Sequence, residues 1–370
     1  MILLDLMFYT FVVVVLIQVV FYIVFFRKFA FVKQKKERSK NISISVIICA
    51  KNEAENLQNF LPSILNQDYP SFEVVLINDA SQDTTLDVMK EFAAKNNSIK
   101  IVNVKNIEAF WGNKKYAITL GIKASLYDFL LFTDADCKPV SKHWIKEMSS
   151  HFSNTKTIVL GYGAYTKVKK SLLNKLIRFE TLLTAIQYFS FANIGLPFMG
   201  VGRNLAYRKD VFFNANGFMN HMDVRSGDDD LFVNQVATAK NTSISFSKKS
   251  FTTSLPKTTF STWFRQKKRH VSTAKHYKLK HKMLLALFYI TQFLFWLLAI
   301  TLLVVLFKWK IVLALLIVRL TIQFIVYGFS AKKLGEIDVI ALLPFLELFL
   351  IVVQLTIFIS NLVSKPKRWR

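Results

Sequence analysis

The amino-acid sequence predicts one α/β domain with hydrophobic helices at both ends, and two observations lead to this prediction. Strand and helix patterns alternate through the middle of the chain, whereas the longest uncharged apolar stretches lie near its two ends. Of the 370 residues, 52% are hydrophobic and 35 are Phe, and the formal net charge is +25. This hydrophobicity excludes a disordered basic chain and favours a membrane protein.

The first apolar stretch, Leu6 to Phe26, carries no charge and, at about 1.5 Å per residue, can cross a hydrocarbon core of about 30 Å. A cleavable signal peptide would have positive charge ahead of this stretch, but Asp5 precedes it and basic residues follow it. These basic residues are Arg27, Lys28, Lys33, Lys35, Lys36, Arg38 and Lys40. We therefore interpret residues 1–40 as a membrane helix whose basic border lies in the cytoplasm.

The C-terminal region, residues 283–370, is predicted to contain two to three membrane segments. Its apolar stretches are Met283 to Phe307, Ile311 to Ala331 and Val339 to Val363. Four full crossings would leave the basic end of the chain outside, against the preference for positive charge in the cytoplasm. The basic residues concerned are Lys365, Lys367, Arg368 and Arg370. A hairpin or an interfacial element kinked at Pro344 would resolve this conflict.

Residues 41–282 are long and polar enough to form one core, and they contain no fixed repeat. Ile42 to Ala50 has the apolar, β-branched pattern of a strand, which a polar loop and a helix pattern follow, and this unit repeats from Phe72. Further strands are expected at 99–104 and 127–132, with a helix at 116–125. Such alternation indicates a parallel sheet whose ligands bind at the carboxyl ends of the strands.

Four carboxylates follow the predicted strands: Glu53, Asp79, Asp134 and Asp136. Any one of them alone is more often a helix cap than a site residue, but four at one edge of a sheet indicate a binding site. Asp134 and Asp136 come directly after a buried strand, where they suit a hard divalent cation, Mg²⁺ or Mn²⁺, that also binds diphosphate oxygens. The alternative for this tripeptide is a capped turn.

From Ser45 to about Lys275 the chain resembles the family 2 glycosyltransferases, which are inverting nucleotide-sugar enzymes of the GT-A fold. Five segments carry the resemblance: Ser45-Val-Ile-Ile-Cys-Ala-Lys-Asn-Glu-Ala, Val75-Leu-Ile-Asn-Asp79, Gly112-Asn-Lys114-Lys-Tyr-Ala, Thr133-Asp-Ala-Asp136 and Gly200-Val-Gly-Arg-Asn204. The resemblance implies a Rossmann-like mixed sheet, here flanked by N-terminal and C-terminal transmembrane helices.

The resemblance also implies roles for individual residues. Glu53 would lie near the nucleotide base, Asp79 would contact the base or ribose, and Lys114 would lie near the nucleotide. Asp134 and Asp136 would be the metal-binding DxD motif, with Asp134 also on the donor side.

Gly227-Asp-Asp-Asp230 takes the place of the family's Glu-Asp motif, which carries the catalytic base. Counting through a helix expected at 231–240 aligns Asp230 with the base, and Asp229 is the second choice. The alternative is that the triplet only favours a helix N-terminus through the helix dipole.

Gln266-Lys-Lys-Arg269-His270 resembles the QxxRW motif of membrane-bound members of the family, with His270 in place of tryptophan. Gln266, Arg269 and His270 are therefore expected to bind substrate, although the absent tryptophan weakens the case for a processive synthase. The surrounding basic residues also suit an anionic membrane surface. A segment at 172–191 is predicted to be an amphipathic helix on the membrane or under the acceptor, with a core helix as the alternative.

Together these features predict a metal-dependent inverting glycosyltransferase for cell-envelope glycans, in the inner membrane with its catalytic domain in the cytoplasm. Its expected partners are a nucleotide-sugar donor, a lipid-linked or polysaccharide acceptor and membrane lipid. The alternatives are a processive polysaccharide synthase and a non-catalytic basic membrane adaptor. A nucleic-acid binder is disfavoured because the basic residues cluster at membrane borders and no nucleic-acid motif is present.

Overall fold

A computed structural model describes residues 1–34, 40–105, 114–224 and 226–363. Several residues named in the sequence analysis lie outside this range. They are Lys35, Lys36, Arg38, Gly112, Lys365, Lys367, Arg368 and Arg370.

The chain begins with a long helix, α1 (Ile2–Ala30), which contains a π-helical turn at Phe21–Phe26. The strands of the α/β domain are β1 Ile44–Ala50, β2 Phe72–Asp79, β3 Ile99–Val104, β4 Phe129–Asp134, β5 Cys137–Pro139, β6 Ile158–Leu160, β7 Gly163–Tyr165, β8 Leu205–Arg208, β9 Thr242–Ile244 and β10 Thr252–Ser254. Its helices are α2 Ala54–Leu65, α3 Thr85–Lys95, α4 Lys114–Ala124, α5 Trp144–Ser150, α6 Leu172–Asn193, α7 Lys209–Asn214, α8 Asp230–Val236 and α9 Phe260–Val271. Three apolar helices follow: α10 Leu279–Val304, α11 Trp309–Leu334 and α12 Leu343–Val363.

The main sheet has seven strands in the order β3-β2-β1-β4-β8-β6-β9. The first four are mutually parallel, as the alternation predicts, whereas β8 runs antiparallel to both β4 and β6, so the sheet is mixed. Cys49 of β1 is paired with Asp134 of β4, and Ala50 is paired with Asn78 of β2. The carboxyl ends of these strands therefore meet at one edge, where sequence reasoning places the site.

Helices cover both faces of this sheet, which is why its central strands are apolar along their whole length. Leu57 and Leu61 of α2 pack with Val46 on one face, and Ala117 and Ile118 of α4 belong to the core on the other. A second sheet, of order β5-β10-β7, lies beside the end of β4. The confirmed fold is thus a mixed α/β domain with membrane-type helices at both ends.

Some predicted element bounds differ from the observed ones. The strand predicted at 127–132 is β4, and its last residue is Asp134 itself. The helix expected at 231–240 is α8, which starts at Asp230 and ends at Val236 because Ala237 adopts an extended conformation. The segment 172–191 lies in α6, whose buried residues occur on every face, including the four consecutive residues from Leu176 to Phe179. That pattern is typical of a core helix rather than of one lying on a membrane surface.

Four helical segments are long and apolar enough to span a membrane: Ile2–Ala30, Leu279–Val304, Trp309–Leu334 and Ile337–Val363. One precedes the α/β domain and three follow it, as the hydrophobic stretches of the sequence predict. Pro344 lies in the first turn of α12, where its missing N–H costs no intrahelical hydrogen bond.

A buried ion pair joins these helices. Arg319 of α11 donates to Glu347 of α12 at 2.8 Å, and both side chains are almost fully buried. Gln18 of α1 accepts from Arg319 at 3.0 Å, and Gln292 of α10 donates to Glu347 at 2.5 Å. All four apolar segments thus contribute to one polar cluster in an otherwise apolar bundle.

We expect Glu347→Gln to destabilise the protein more than the double variant Arg319→Gln/Glu347→Gln. The single change leaves the Arg319 guanidinium buried without a counter-charge, and breaking a buried pair in this way typically costs about 3–5 kcal/mol. The double change removes both charges and keeps amides that can hydrogen-bond. Thermal unfolding of the detergent-solubilised protein measures both, and a double variant that is less stable than the single one would contradict this account.

Candidate active site

A small cleft, lined by both charged and apolar side chains, lies at the carboxyl edge of the parallel strands. Its floor is formed by the ends of β1 and β4, and its wall by the turn before β8 and the acidic triplet before α8. Its lining residues are Ile47, Cys49, Lys114, Ile118, Phe132, Thr133, Asp134, Gly202, Leu205, Tyr207, Asp228 and Asp229.

Lys114 bridges two acidic motifs in this cleft. Its Nζ lies 2.9 Å from Asp134 Oδ1 and 3.1 Å from Asp228 Oδ2. Burial opposes the charge on Lys114, but the two carboxylates prevail and raise its pKa well above the ordinary value. Lys114 likewise holds the pKa of Asp228 below its usual value, against the effect of burial.

Lys114 reaches this position because α4 packs closely on the sheet. A Cβ at Gly121, on the same helix, would lie 2.2 Å from Ile77 Cδ1 of β2, so glycine allows the close approach. A larger residue there would push α4 outward and move Lys114 away from Asp134.

Asp134, Asp136 and Cys137 form a compact group whose potential ligand atoms all lie within 4.8 Å of one another. Burial and the neighbouring Asp134 raise the pKa of Asp136, and Cys137 Sγ donates to Asp136 Oδ1 at 3.3 Å. Two crowded carboxylates at a strand end form a donor set that fits a hard divalent cation, because the cation would relieve their repulsion. These are the residues of the predicted DxD motif.

Arg203 is a residue that the sequence analysis did not single out. Its guanidinium lies over the Tyr165 ring at 4.2 Å and donates to Ser254 Oγ at 2.9 Å. Its positive charge opposes the rise in the pKa of Asp136. The signal in the sequence was the segment Gly200–Asn204, which contains Arg203 and is one of the five segments that resemble the family.

Glu53 and Asp79 flank the cleft at the neighbouring strand ends. Asp79 ends β2, with its carboxylate 4.0 Å from Lys51 Nζ, and Glu53 precedes α2 and accepts from Asn56 at 2.5 Å. Burial raises the pKa of both carboxyl groups, and the nearby Asp136 and Asp134 raise that of Glu53 further. Both residues therefore lie on the side of the sheet where the sequence predicts nucleotide binding.

Asp228 and Asp229 of the acidic triplet both line the cleft, and Asp229 lies beside Gly202. Its Oδ2 accepts the Gly202 N–H at 2.6 Å, and its Oδ1 accepts the Asp230 N–H at 2.8 Å. Burial and the adjacent Asp228 and Asp230 raise its pKa to about 7. A carboxylate with such a pKa is matched to proton transfer near neutral pH.

Asp230 is buried, and its carboxylate accepts three hydrogen bonds. Its Oδ2 accepts from Thr273 at 2.5 Å and from Tyr277 at 2.7 Å, and its Oδ1 accepts the Leu231 N–H at 2.8 Å. Asp230 is not among the residues that line the cleft. The contacts of the two aspartates thus differ, and the choice between Asp230 and Asp229 as the base stays a prediction; the helix that set the count ends at Val236, earlier than expected.

The segment with Gln266, Arg269 and His270 lies on α9. Burial lowers the pKa of Arg269, while Asp228, Asp134 and Asp229 oppose this shift, so Arg269 lies within electrostatic reach of the site. Gln266 Oε1 is buried without a hydrogen-bond partner among the described residues. The surrounding protein and the cations Lys267 and Arg269 lower the pKa of His270 below its ordinary value, although its side chain stays exposed at the end of α9.

A cleft with a DxD pair, a bridging lysine and a carboxylate of raised pKa, at the edge of a mixed α/β sheet, defines a nucleotide-sugar transferase of the GT-A type. The family models Glycosyl transferase family 2 and Glycosyl transferase family group 2 match residues 45–213 and 130–357. The second match covers more than half of the chain, and the protein belongs to glycosyl transferase family 2.

Two curated relatives illustrate the range of the family. Glycosyltransferase AglE of Haloferax volcanii is 29% identical over 193 residues, which cover 50% of this chain and 58% of the relative. Poly-beta-1,6-N-acetyl-D-glucosamine synthase of Staphylococcus epidermidis is 36% identical over 102 residues, which cover 28% of this chain and 24% of the relative. The matched part therefore spans between about a quarter and somewhat over half of these relatives.

Among solved structures, the mannosyltransferase PcManGT from Pyrobaculum calidifontis, in complex with GDP-Man and Mn²⁺, has the same fold. Its TM-score is 0.59 at 16% identity, over 92% of this chain and 96% of that one. The likeness extends over the membrane-type helices as well as the α/β domain, since it covers almost the whole of this chain.

We expect the stability of the folded protein to fall less between pH 5 and pH 8 in Asp229→Asn than in the wild type. The folded-state pKa of about 7 lies above the unfolded value of about 3.9, so the Asp229 proton stabilises the fold fully below about pH 4. That stabilisation is lost as the pH rises through about 7, and asparagine has no proton to lose.

The measurement is the thermal unfolding temperature of both proteins at pH 5 and pH 8. The drop between the two pH values should be smaller for Asp229→Asn than for the wild type. Equal drops would mean that Asp229 does not carry the raised pKa.

Proposed function

We propose that this family 2 glycosyltransferase moves a sugar from a nucleoside-diphosphate sugar to an acceptor hydroxyl with inversion, at the cytoplasmic face of the inner membrane. The observation that carries the proposal is the position of Lys114 between Asp134 and Asp228, with Asp229 next to that pair. This arrangement brings a cation and a carboxylate of raised pKa into one cleft, where the cation would stabilise the leaving group and the carboxylate would take a proton.

Donor binding would use the strand-end residues. Asp134 and Asp136 would hold Mg²⁺ or Mn²⁺, which when bound supplies positive charge to the diphosphate oxygens. Lys114 and Arg269 would add charge on the same side and stabilise the leaving nucleoside diphosphate. Glu53 and Asp79, at the ends of the neighbouring strands, would contact the base and ribose.

Asp229 would act as the general base. Its carboxylate would take the proton of the acceptor hydroxyl while the hydroxyl oxygen bonds to the anomeric carbon and the carbon–diphosphate bond breaks. One such displacement inverts the anomeric centre. The backbone N–H groups of Gly202 and Asp230 donate to the two oxygens of this carboxylate and fix its orientation.

Asp230 would be a positioning residue. Its bonds to Thr273 and Tyr277 join the start of α8 to the segment between α9 and the membrane helix α10. Asp229, which caps α8, is thereby held at a fixed distance from α9 and its residues Gln266 and Arg269.

The acceptor is proposed to be lipid-linked or a cell-envelope glycan, because α9 carries site residues and leads directly into a membrane-type helix. Because this chain is similar to a poly-N-acetylglucosamine synthase, a processive polysaccharide synthase is the second candidate. His270 in place of tryptophan favours the transfer of a limited number of sugars. A non-catalytic adaptor would have no use for the Lys114–Asp134–Asp228 arrangement.

Replacing either Asp134 or Asp136 with Ala should remove Mn²⁺-dependent binding of nucleoside diphosphates, because the cation would lose half of its protein carboxylates. Titration calorimetry of UDP and GDP with and without Mn²⁺ measures this. The matched control is Asp87→Ala, an exposed carboxylate on α3 that pairs only with Lys90. If both site variants keep full Mn²⁺-dependent binding, Asp134 and Asp136 are not the metal ligands.

Asp229→Asn should lower transfer by about 100-fold or more, since a positioned general base contributes about 10²- to 10⁴-fold, and donor affinity should stay within about tenfold. Asp230→Asn is the control: it should lower thermal stability, because it disturbs the bonds to Thr273 and Tyr277, and reduce transfer less. A larger rate loss at Asp230 with unchanged stability would return the role of base to that residue.

A further inference from the structure

We infer that α12 does not cross the membrane. It begins about halfway into the membrane, runs beneath α9, and has its C-terminal end on the side of the catalytic domain. The protein then crosses the membrane three times, with α1, α10 and α11. This inference rests on helix positions and contacts and is independent of the proposed catalytic roles.

The first observation is the depth at which α12 begins. Its partners in the buried polar cluster, Gln292 and Arg319, lie near the middles of α10 and α11, whereas Glu347 is the fifth residue of α12. The start of α12 is therefore level with the middle of the other helices. From Glu347 the helix continues to Val363, about 24 Å at about 1.5 Å per residue, which is more than the remaining half of a hydrocarbon core of about 30 Å.

The second observation is the position of the other end of α12. Lys268 Nζ on α9 donates to Ser360 O at 3.1 Å and to Ser360 Oγ at 2.7 Å, and Asn361 Nδ2 donates to Lys268 O at 3.2 Å. The rings of Phe260 and Phe349 lie 6.2 Å apart at the start of α9. The two helices thus run side by side in the same direction.

Helix α9 belongs to the catalytic domain, so this contact fixes the side of the membrane. Lys267 of α9 pairs with Glu180 of α6, and Trp263 is fully buried in the domain core. Arg269, next to Lys268, interacts electrostatically with Asp228, Asp134 and Asp229 of the cleft. An α12 that crossed the bilayer would carry Ser360 to the far surface, where α9 cannot follow.

The third observation is that the chain also enters this segment from the catalytic domain. Asp338, in the 3₁₀ turn Ile337–Leu342, accepts from Lys167 at 2.7 Å and from Arg178 at 2.8 Å, and Lys167 also donates to the Gly335 carbonyl at 2.8 Å. Both ends of the segment from Gly335 to Asn361 are therefore anchored on one domain.

Beginning a helix inside a bilayer is costly unless its free N–H groups are covered. Here the 3₁₀ turn runs directly into α12, and Pro344 in the first turn has no N–H. Val339 and Ile340 of the turn and Leu343 and Leu346 of the helix are almost fully buried by protein, so one side of the turn and of the helix start is shielded from lipid. The local structure therefore suits a helix that starts within the membrane.

Three crossings also remove the conflict in the distribution of charge. The chain after Val363 would continue on the catalytic side, and its basic residues Lys365, Lys367, Arg368 and Arg370 would follow the preference for positive charge in the cytoplasm. Four crossings would place them outside.

The first test uses the full chain with a short epitope tag placed either before Met1 or after Arg370, in membrane vesicles of known orientation. Protease protection of each tag shows on which side of the membrane it lies, and digestion of the catalytic domain marks its side. We expect the two tags on opposite sides, with the Arg370 tag on the side of the catalytic domain. Two tags on the same side would overturn the inference.

The second test is chemical cross-linking in the membrane. A bifunctional thiol reagent with a span of about 8 Å should join the cysteines in Lys268→Cys/Ser360→Cys, because these side chains are in contact. The matched control is Lys268→Cys/Leu306→Cys, in which the second site lies in the turn between α10 and α11. No cross-link in the first variant, or equal cross-linking in both, would overturn the inference.

Discussion

The candidate site depends on one buried ammonium group. Lys114 is held between Asp134 at the end of β4 and Asp228 before α8, which brings together two motifs that are distant in the sequence. Without this cation, several carboxylates would lie close together in a partly buried cleft, and their mutual repulsion would oppose the packing of α8 against the sheet. The close packing of α4 at Gly121 places the lysine there, so a helix–sheet contact in the core sets the electrostatics of the cleft.

The acidic triplet shows how one helix start serves three purposes. Asp228 neutralises Lys114, Asp229 caps α8 from the cleft side, and Asp230 binds Thr273 and Tyr277 on the side of the membrane helices. Successive residues at a helix N-terminus point in different directions, so three adjacent aspartates reach three different environments. Their pKa values diverge accordingly: that of Asp228 is lowered by its cation, and that of Asp229 is raised by burial and by its neighbours.

Two ionic contacts fix the membrane helices, one to the catalytic domain and one to each other. Arg178 of α6 is buried and pairs with Glu336 and Asp338 in the connection that follows α11, while Arg319 and Glu347 join the helices to one another within the bundle. Both arginines form bidentate or multiple bonds that fix direction as well as distance. The domain and the bundle therefore have a defined orientation, which keeps α9 between the cleft and the apolar helices.

The sequence by itself determined the features that depend on local pattern: the strand–loop–helix alternation, the long uncharged stretches, and the carboxylates Glu53, Asp79, Asp134 and Asp136 at the strand ends. These follow from hydrophobic periodicity and chain length, which are local properties. Only the tertiary structure decided that Asp228 and Asp229, but not Asp230, line the cleft, that the charge of Arg203 acts on Asp136, that α6 is buried on every face, and that β8 enters the sheet antiparallel. Those outcomes depend on partners distant in the chain, such as Tyr277 for Asp230 and Lys268 for Ser360, and no local pattern specifies which distant side chain a residue will meet.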